Sequence, residues 1–150
     1  MTTFHRPIDE ADVLHLVREA RGRGITFDLS GSGTKQRIGR PPQASATVAL
    51  RNLRGLTLHE PTEMVIAAKA GTLVSVVEAE LAKYNQQLAF EPIDAGLMLG
   101  EPGGQATIGG IVASNLSGAR RVLKGAARDH LLGMRFVNGH GELIKSGGRV

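Results

Sequence analysis

The chain has no cysteine in its 150 residues, which excludes disulfides, thiolate metal sites and iron–sulfur ligation by its own side chains. Any iron–sulfur cluster serving it must sit on a partner. Aromatic residues make up only 3%, and 18 basic residues against 14 acidic ones leave a modest net charge of +4. Nucleic-acid binders concentrate basic residues and interleave them with aromatics, so this composition argues against nucleic acid while still suiting an anionic small molecule. The five histidines (His5, His15, His59, His130, His140) show no His-x-x-x-His spacing, and no metal site is expected. No apolar run nears the length that spans a bilayer, and the N-terminus lacks a charged segment followed by an apolar stretch. The expected location is cytoplasmic.

What is present is a chain that is 41% apolar, long enough for a packed core, with no internal repeat. Residues 9–24 predict a helix: Asp9 at the N-cap, Glu10 and Asp12 in the first turn, Val13, Leu16, Val17 and Ala20 on one stripe, and Gly22 and Gly24 as stops. Residues 25–29 follow as a short strand. Further strands are expected at 46–50, 56–60 and 64–71, the last almost wholly apolar and therefore interior. Arg54 and Gly55 mark a candidate boundary between a lobe of about 1–54 and another of about 55–150. Thr72 is the expected cap of a helix over 73–85, with Leu73, Val77, Leu81 and Tyr84 on its apolar stripe. Residues 87–90 predict a strand, and 91–104 a Pro/Gly-rich connection. Residues 132–138 and 142–146 predict a hairpin turning at Gly139, His140 and Gly141.

Two glycine clusters stand out. The strand at 25–29 runs directly into Ser30, Gly31, Ser32, Gly33, Thr34 and Lys35, which places amides, hydroxyls and one ammonium at a strand's carboxyl end, where ligands bind in α/β folds. This loop is neither a dinucleotide fingerprint, which needs a third glycine and a following helix, nor a P-loop, which needs Gly-Lys-Ser/Thr. The second cluster, residues 102–118, contains Gly103, Gly104, Gly109 and Gly110 and leads into a small-residue helix whose N-terminus near Thr107 would face the same anion. Each cluster alone reads as a surface loop or as a phosphate cradle. Arg120, Arg121, Lys124 and Arg128 follow as a solvated basic face or as counter-charge.

In combination these segments resemble the FAD-binding domain of the vanillyl-alcohol oxidase and p-cresol methylhydroxylase (PCMH) type, an α+β, two-lobed fold, and within it the FAD-binding subunits of bacterial glycolate oxidases. The resemblance rests on GSGTK at 31–35, the A-G-T-x-x-x-x-x-E entry at 70–78 and T-I-G-G-x-x-A-x-N at 107–115, and covers nearly the whole chain. It implies that Gly31, Ser32, Gly33, Thr34 and Lys35 wrap the FAD diphosphate. Thr107, Ile108, Gly109 and Gly110, with Gly103, Ala113, Ser114 and Gly118 in the same region, would lie towards the flavin. Thr34 stands where covalent members carry histidine, so a noncovalent flavin is implied. The implied activity is oxidation of glycolate or a similar 2-hydroxy acid by hydride transfer to flavin N5. A second flavin subunit and an iron–sulfur subunit are the implied partners, and any membrane association would come through them. The chain closes on a fresh turn at residues 147–150, so a truncated domain without its substrate domain is expected, and catalytic residues are not assignable. The alternatives are a UDP-N-acetylenolpyruvoylglucosamine-reductase-like flavoprotein using NADPH and a noncatalytic assembly module. Gly33→Val or Gly109→Val is expected to remove flavin binding while largely preserving the fold.

Overall fold

The computed structural model describes residues 3–148; Arg149 and Val150, at the end of the expected final turn, lie outside them. The chain begins with β1 (Thr3–His5), α1 (Glu10–Arg23), β2 (Phe27–Ser30) and β3 (Ala46–Ala49). The three strands form one parallel sheet in the order β1-β3-β2. All four residues of the central strand β3 are buried, as expected where both edges are paired and both faces covered. β1 was not expected from sequence: three residues are too few for a period-two pattern to register.

α1 is bounded as its sequence dictates. The Asp9 carboxylate accepts the Asp12 amide at 2.8 Å, and Gly24 closes the helix in the left-handed region at φ 66°, its N–H bonded to the Ala20 carbonyl. α1 also carries the hairpin of β6 (Gly133–Val137) and β7 (Leu143–Gly147). Arg18 Nε donates to the Gly141 carbonyl at 2.9 Å, and Arg135 pairs with Glu10 at 2.6 Å.

Between these lie β4 (Leu56–Glu60), β5 (Val65–Ala68), α2 (Val74–Ala82), α3 (Ala95–Met98), α4 (Ile108–Ser114) and α5 (Arg121–Lys124). Four expectations change here. β5 is not an interior strand: among the described residues it pairs only with β4, and its residues are half-buried. Thr72 does not cap α2; Leu73 occupies that position without a side-chain bond. The Thr72 hydroxyl instead donates to the Lys69 carbonyl at 2.7 Å and accepts the Gly55 amide at 2.9 Å. Residues 87–90 form no strand; Leu88 and Phe90 alternate because they pack into the core made by Val74, Ala106, Ile111 and Ala127, and burial alone produces that pattern. The connection at 91–104, expected to be irregular, contains α3.

The turn at residues 69–72 fixes several elements at once. The Gly71 amide donates to the Leu53 carbonyl at 2.7 Å, and a Cβ on Gly71 would collide with the Leu50 carbonyl and approach Arg51 Cα to 2.8 Å. Gly71→Ala is therefore expected to destabilise the chain by about 1–3 kcal/mol through backbone displacement. In Gly22→Ala the new methyl meets nothing within 4 Å inside α1, and it should stabilise by about 0.5–1 kcal/mol. Urea unfolding midpoints of the two variants, moving in opposite directions from wild type, check this.

Candidate functional site

β1, β2 and β3 run parallel, so their carboxyl ends meet at one edge of the sheet. Residues 31–35 leave β2 there, beside an open cleft of about 490 Å³ lined by Ser30–Gly33 from this loop, Phe4 and Arg6 from the end of β1, and Arg51 and Asn52 from the turn after β3. Gly33 takes φ +81°, a conformation that suits glycine. Among the described residues, the amides of Ser32, Gly33, Thr34 and Lys35 donate to no acceptor, and the buried Ser32 Oγ has no hydrogen-bond partner. Consecutive unpartnered amides in a glycine loop form a concavity that favours an anion. Orphaned buried hydroxyls are rare in a folded chain and call for a missing partner.

Lys35 completes this arrangement. Among the described residues no carboxylate lies within 4 Å of its ammonium, and burial lowers its pKa from the ordinary 10.5, with Asp94 pulling partly in the opposite direction. A desolvated cation without an ion pair is poised for an anionic ligand.

The structure brings the two glycine clusters into contact. A Cβ on Gly31 would run into Thr107 Oγ1, so the first loop lies flush against the residue that caps α4. A Cβ on Gly110 would be 3.0 Å from the same hydroxyl and 3.8 Å from Lys35 Nζ. Thr107 is buried, and its side chain accepts the Gly110 amide at 3.3 Å.

The first-turn amides of α4, however, are already engaged. Ile108 N–H donates to the Thr72 carbonyl at 2.8 Å and Gly109 N–H to the Ala70 carbonyl at 2.9 Å. A Cβ on Gly109 would come within 2.7 Å of Ala70 Cβ and O. Gly109 thus serves packing of helix against turn, and Gly109→Val would disturb the fold rather than leave it intact. Of the remaining expected residues, Ala113 is exposed, the Ser114 hydroxyl donates to the Gly110 carbonyl at 2.8 Å, Gly103 packs on Leu97, and Gly118 packs on Glu91. Glu91 also holds Arg120, and Arg128 pairs with Asp129, so two of the four basic residues at 120–128 are engaged by carboxylates.

Sequence reasoning singled out Gly103 and Gly104 but missed the contribution of residues 94–101. Asp94 accepts the amides of Gly96 at 3.1 Å and Gly104 at 2.6 Å, folding this segment onto the first loop. A Cβ on Gly96 would be 3.4 Å from the Thr34 methyl, and Arg37 donates to the Leu99 carbonyl at 3.0 Å. The available signal was the Asp-Ala-Gly step after Pro92 and Ile93, an N-cap followed by small residues.

A family model described as FAD binding domain matches residues 2–147. The chain belongs to the PCMH-type FAD-binding domain family. It is 36% identical over 138 residues to the glycolate oxidase subunit GlcE of Escherichia coli, covering 92% of this chain and 37% of that protein. It is 25% identical to a D-lactate dehydrogenase of Archaeoglobus fulgidus, covering 97% of this chain and 31% of that protein. The solved 6-hydroxy-D-nicotine oxidase of Arthrobacter nicotinovorans superposes over 98% of this chain and 31% of its own with a TM-score of 0.77 at 16% identity, a likeness of fold. The chain thus spans about a third of the length of these relatives.

FAD is the cofactor of this family, and the residues present fit its diphosphate: four free amides, an orphaned hydroxyl and an unpaired ammonium stand within residues 32–35. Ser32→Ala is expected to leave the FAD-free chain as stable as wild type or more stable by about 1 kcal/mol, because it removes a buried hydroxyl that bonds to nothing. The same change should weaken FAD. Paired unfolding and FAD-quenching titrations of the variant read both effects.

Proposed function

We propose that the chain is the FAD-binding portion of an oxidoreductase acting on glycolate or a similar small 2-hydroxy acid. The observation that carries the reading is the cradle at residues 31–35, in contact with Thr107 through Gly31, in a chain similar over most of its length to a glycolate oxidase subunit. Glycolate and D-lactate share a hydroxyl on the carbon next to a carboxylate, and the printed activities of the two relatives meet in that substrate class. Bound FAD would supply the hydride acceptor at N5. The chain's own part is binding and orientation. Residues 31–35 would hold the diphosphate through backbone amides, Ser32 and Lys35, while Thr107 and Gly110 would set the direction in which the flavin leaves the cradle.

The flavin is held noncovalently in this reading, because Thr34 offers no imidazole for attachment and is itself buried against the segment around Gly96. Electrons leave through a second flavin subunit and an iron–sulfur subunit, consistent with a chain that has no cysteine. The lobes divide near residue 54, and a substrate domain would complete the pocket over the flavin ring.

Purified residues 1–150 incubated with FAD should turn yellow, and acid precipitation should release all the flavin to the supernatant. A colourless protein would favour the assembly-module reading, and flavin retained in the pellet would overturn noncovalent binding. Loss of growth on glycolate after disruption of the coding sequence tests the substrate class. Normal growth on glycolate, with NADPH oxidation by the complete protein, would favour the reductase.

Lys35 makes binding pH-dependent with a defined sign. Its folded-state pKa lies below 10.5, so without ligand the unfolded chain binds more protons as pH rises towards 10.5, and the folded state gains stability across that window. FAD affinity should fall over the same window as the ammonium is lost. Lys35→Gln should abolish both trends in pH-dependent unfolding and FAD titrations.

A further inference from the structure

The chain has five lysines, and one of them differs from the rest in its surroundings. Lys69, Lys83, Lys124 and Lys145 are exposed, and Lys83 is paired with Glu80 at 2.6 Å. Lys35 alone is half-buried. It sits where the first glycine loop meets α4: Gly110 carries no side chain towards it, and a Cβ there would be 3.8 Å from Lys35 Nζ. Among the described residues no carboxylate lies within 4 Å of its ammonium, and the oxygens of Asp94 go to the amides of Gly96 and Gly104. Burial lowers the Lys35 pKa, whereas the Glu80 carboxylate raises that of Lys83. An amine attacks carbon only in its neutral form, so lysines that are desolvated and unpaired are the ones that form Schiff bases. The unengaged amides of residues 32–35 stand in the same loop and suit an anion.

We propose that Lys35 is a covalent site for small aldehydes that carry an anionic group, with an aldehydic 2-oxo acid as the chemical class it takes. The carboxylate of such a molecule rests on the free amides of the loop, which holds the carbonyl carbon near Nζ. The Nζ lone pair attacks that carbon, the carbonyl oxygen takes up the proton that nitrogen gives, and the carbinolamine loses water to leave an imine. No electrons change hands, so the step needs neither oxidant nor reductant. The amides raise the local concentration of the aldehyde, and the half-buried, unpaired position favours the neutral amine. The four exposed lysines have neither advantage. The site needs only these residues, while its consequence rests on the FAD reading above. Oxidation of a 2-hydroxy acid at its hydroxyl carbon yields a 2-oxo acid, and from glycolate the product is an aldehyde beside a carboxylate. Bound as an imine at Lys35, that product occupies the loop assigned to the FAD diphosphate, so accumulated product slows cofactor loading of the free chain.

The test is exposure of the wild-type chain to glyoxylate at neutral pH, followed by borohydride, which reduces the imine to a stable carboxymethyl-amine, and by peptide mass mapping of all five lysines. Lys35 should be labelled about tenfold faster than any other lysine, and unfolding the chain in urea should erase that preference. Propionaldehyde, which has no anionic group, should favour Lys35 less, and inorganic phosphate should slow glyoxylate labelling at Lys35 but not at Lys145. FAD added first should protect Lys35 alone. Equal labelling of the five lysines in the folded chain overturns the site. A preference for Lys35 that propionaldehyde shares in full and phosphate leaves unchanged overturns the part given to the anion. Labelling undiminished by FAD that fluorescence quenching shows to be bound overturns the competition with the cofactor. Selective, phosphate-sensitive labelling of Lys35 in a chain that binds no FAD supports the site and overturns the FAD reading alone.

Discussion

The turn at residues 69–72 is the constraint on which the site depends. It makes four connections in four residues: the Ala70 and Thr72 carbonyls receive the first two amides of α4, the Gly71 amide reaches Leu53, and the Thr72 side-chain Oγ1 bridges Lys69 and Gly55. The start of α4, the turn after β3 and the start of β4 are therefore positioned by one short segment. A helix N-terminus leaves amides without partners in its own chain of bonds. Here two of them find carbonyls on a neighbouring turn, and docking of the helix and satisfaction of its end are the same event. Because Thr107 is the residue just before that helix, its hydroxyl is delivered to Gly31 by the same bonds.

Glycine at these contacts reflects close approach of backbone to backbone more than turn geometry. Gly71 against Leu50 and Gly109 against Ala70 have no room for a methyl group, and neither has a positive φ. Gly33, with φ +81° and the side chains of Gln36 and Ser30 as the nearest neighbours of an added Cβ, is the opposite case: its requirement is conformational. The motif T-I-G-G thus divides its glycines between two tasks. Gly109 meets the packing turn, and Gly110 faces Thr107 and Lys35, towards the first glycine loop.

Much of this was legible in the sequence. α1 carried its own caps, the hairpin at 133–147 carried its turn, and β4 fell at the expected residues, because local chemistry determines those elements. The loop at 31–35 was legible as a glycine loop at a strand end, but on its own it read as a surface loop or as a phosphate cradle, and only its combination with T-I-G-G at 107–110 favoured the cradle. What was not legible were features set by distant contacts. Thr72 reads as an N-cap until Gly55, seventeen positions away, takes its hydroxyl. The alternation at Leu88 and Phe90 is indistinguishable from a strand until the core is known. Asp94 looks like one more loop acid until its carboxylate is found gathering Gly96 and Gly104 beside Thr34.

The charge in this site has one common property. Elsewhere on the chain the basic residues near carboxylates form pairs: Arg23 with Glu19, Arg120 with Glu91, Arg135 with Glu10. Next to the cradle Arg37 likewise lies 3.9 Å from Glu101, but Lys35 has no such pair among the described residues, and Asp94, whose charge partly offsets the lowering of the Lys35 pKa by burial, directs its oxygens to backbone amides instead of to the ammonium. Holding a partly buried cation unpaired is unfavourable in the ligand-free chain, since desolvation disfavours the charged form. In the proposed reading, a bound diphosphate would reverse that balance by supplying the missing counter-charge where solvent is already partly excluded. The same desolvation that lowers the Lys35 pKa would strengthen its attraction to a phosphate, so in the proposed reading the cost of the unpaired cation in the free chain and the ligand's binding energy have a single structural origin.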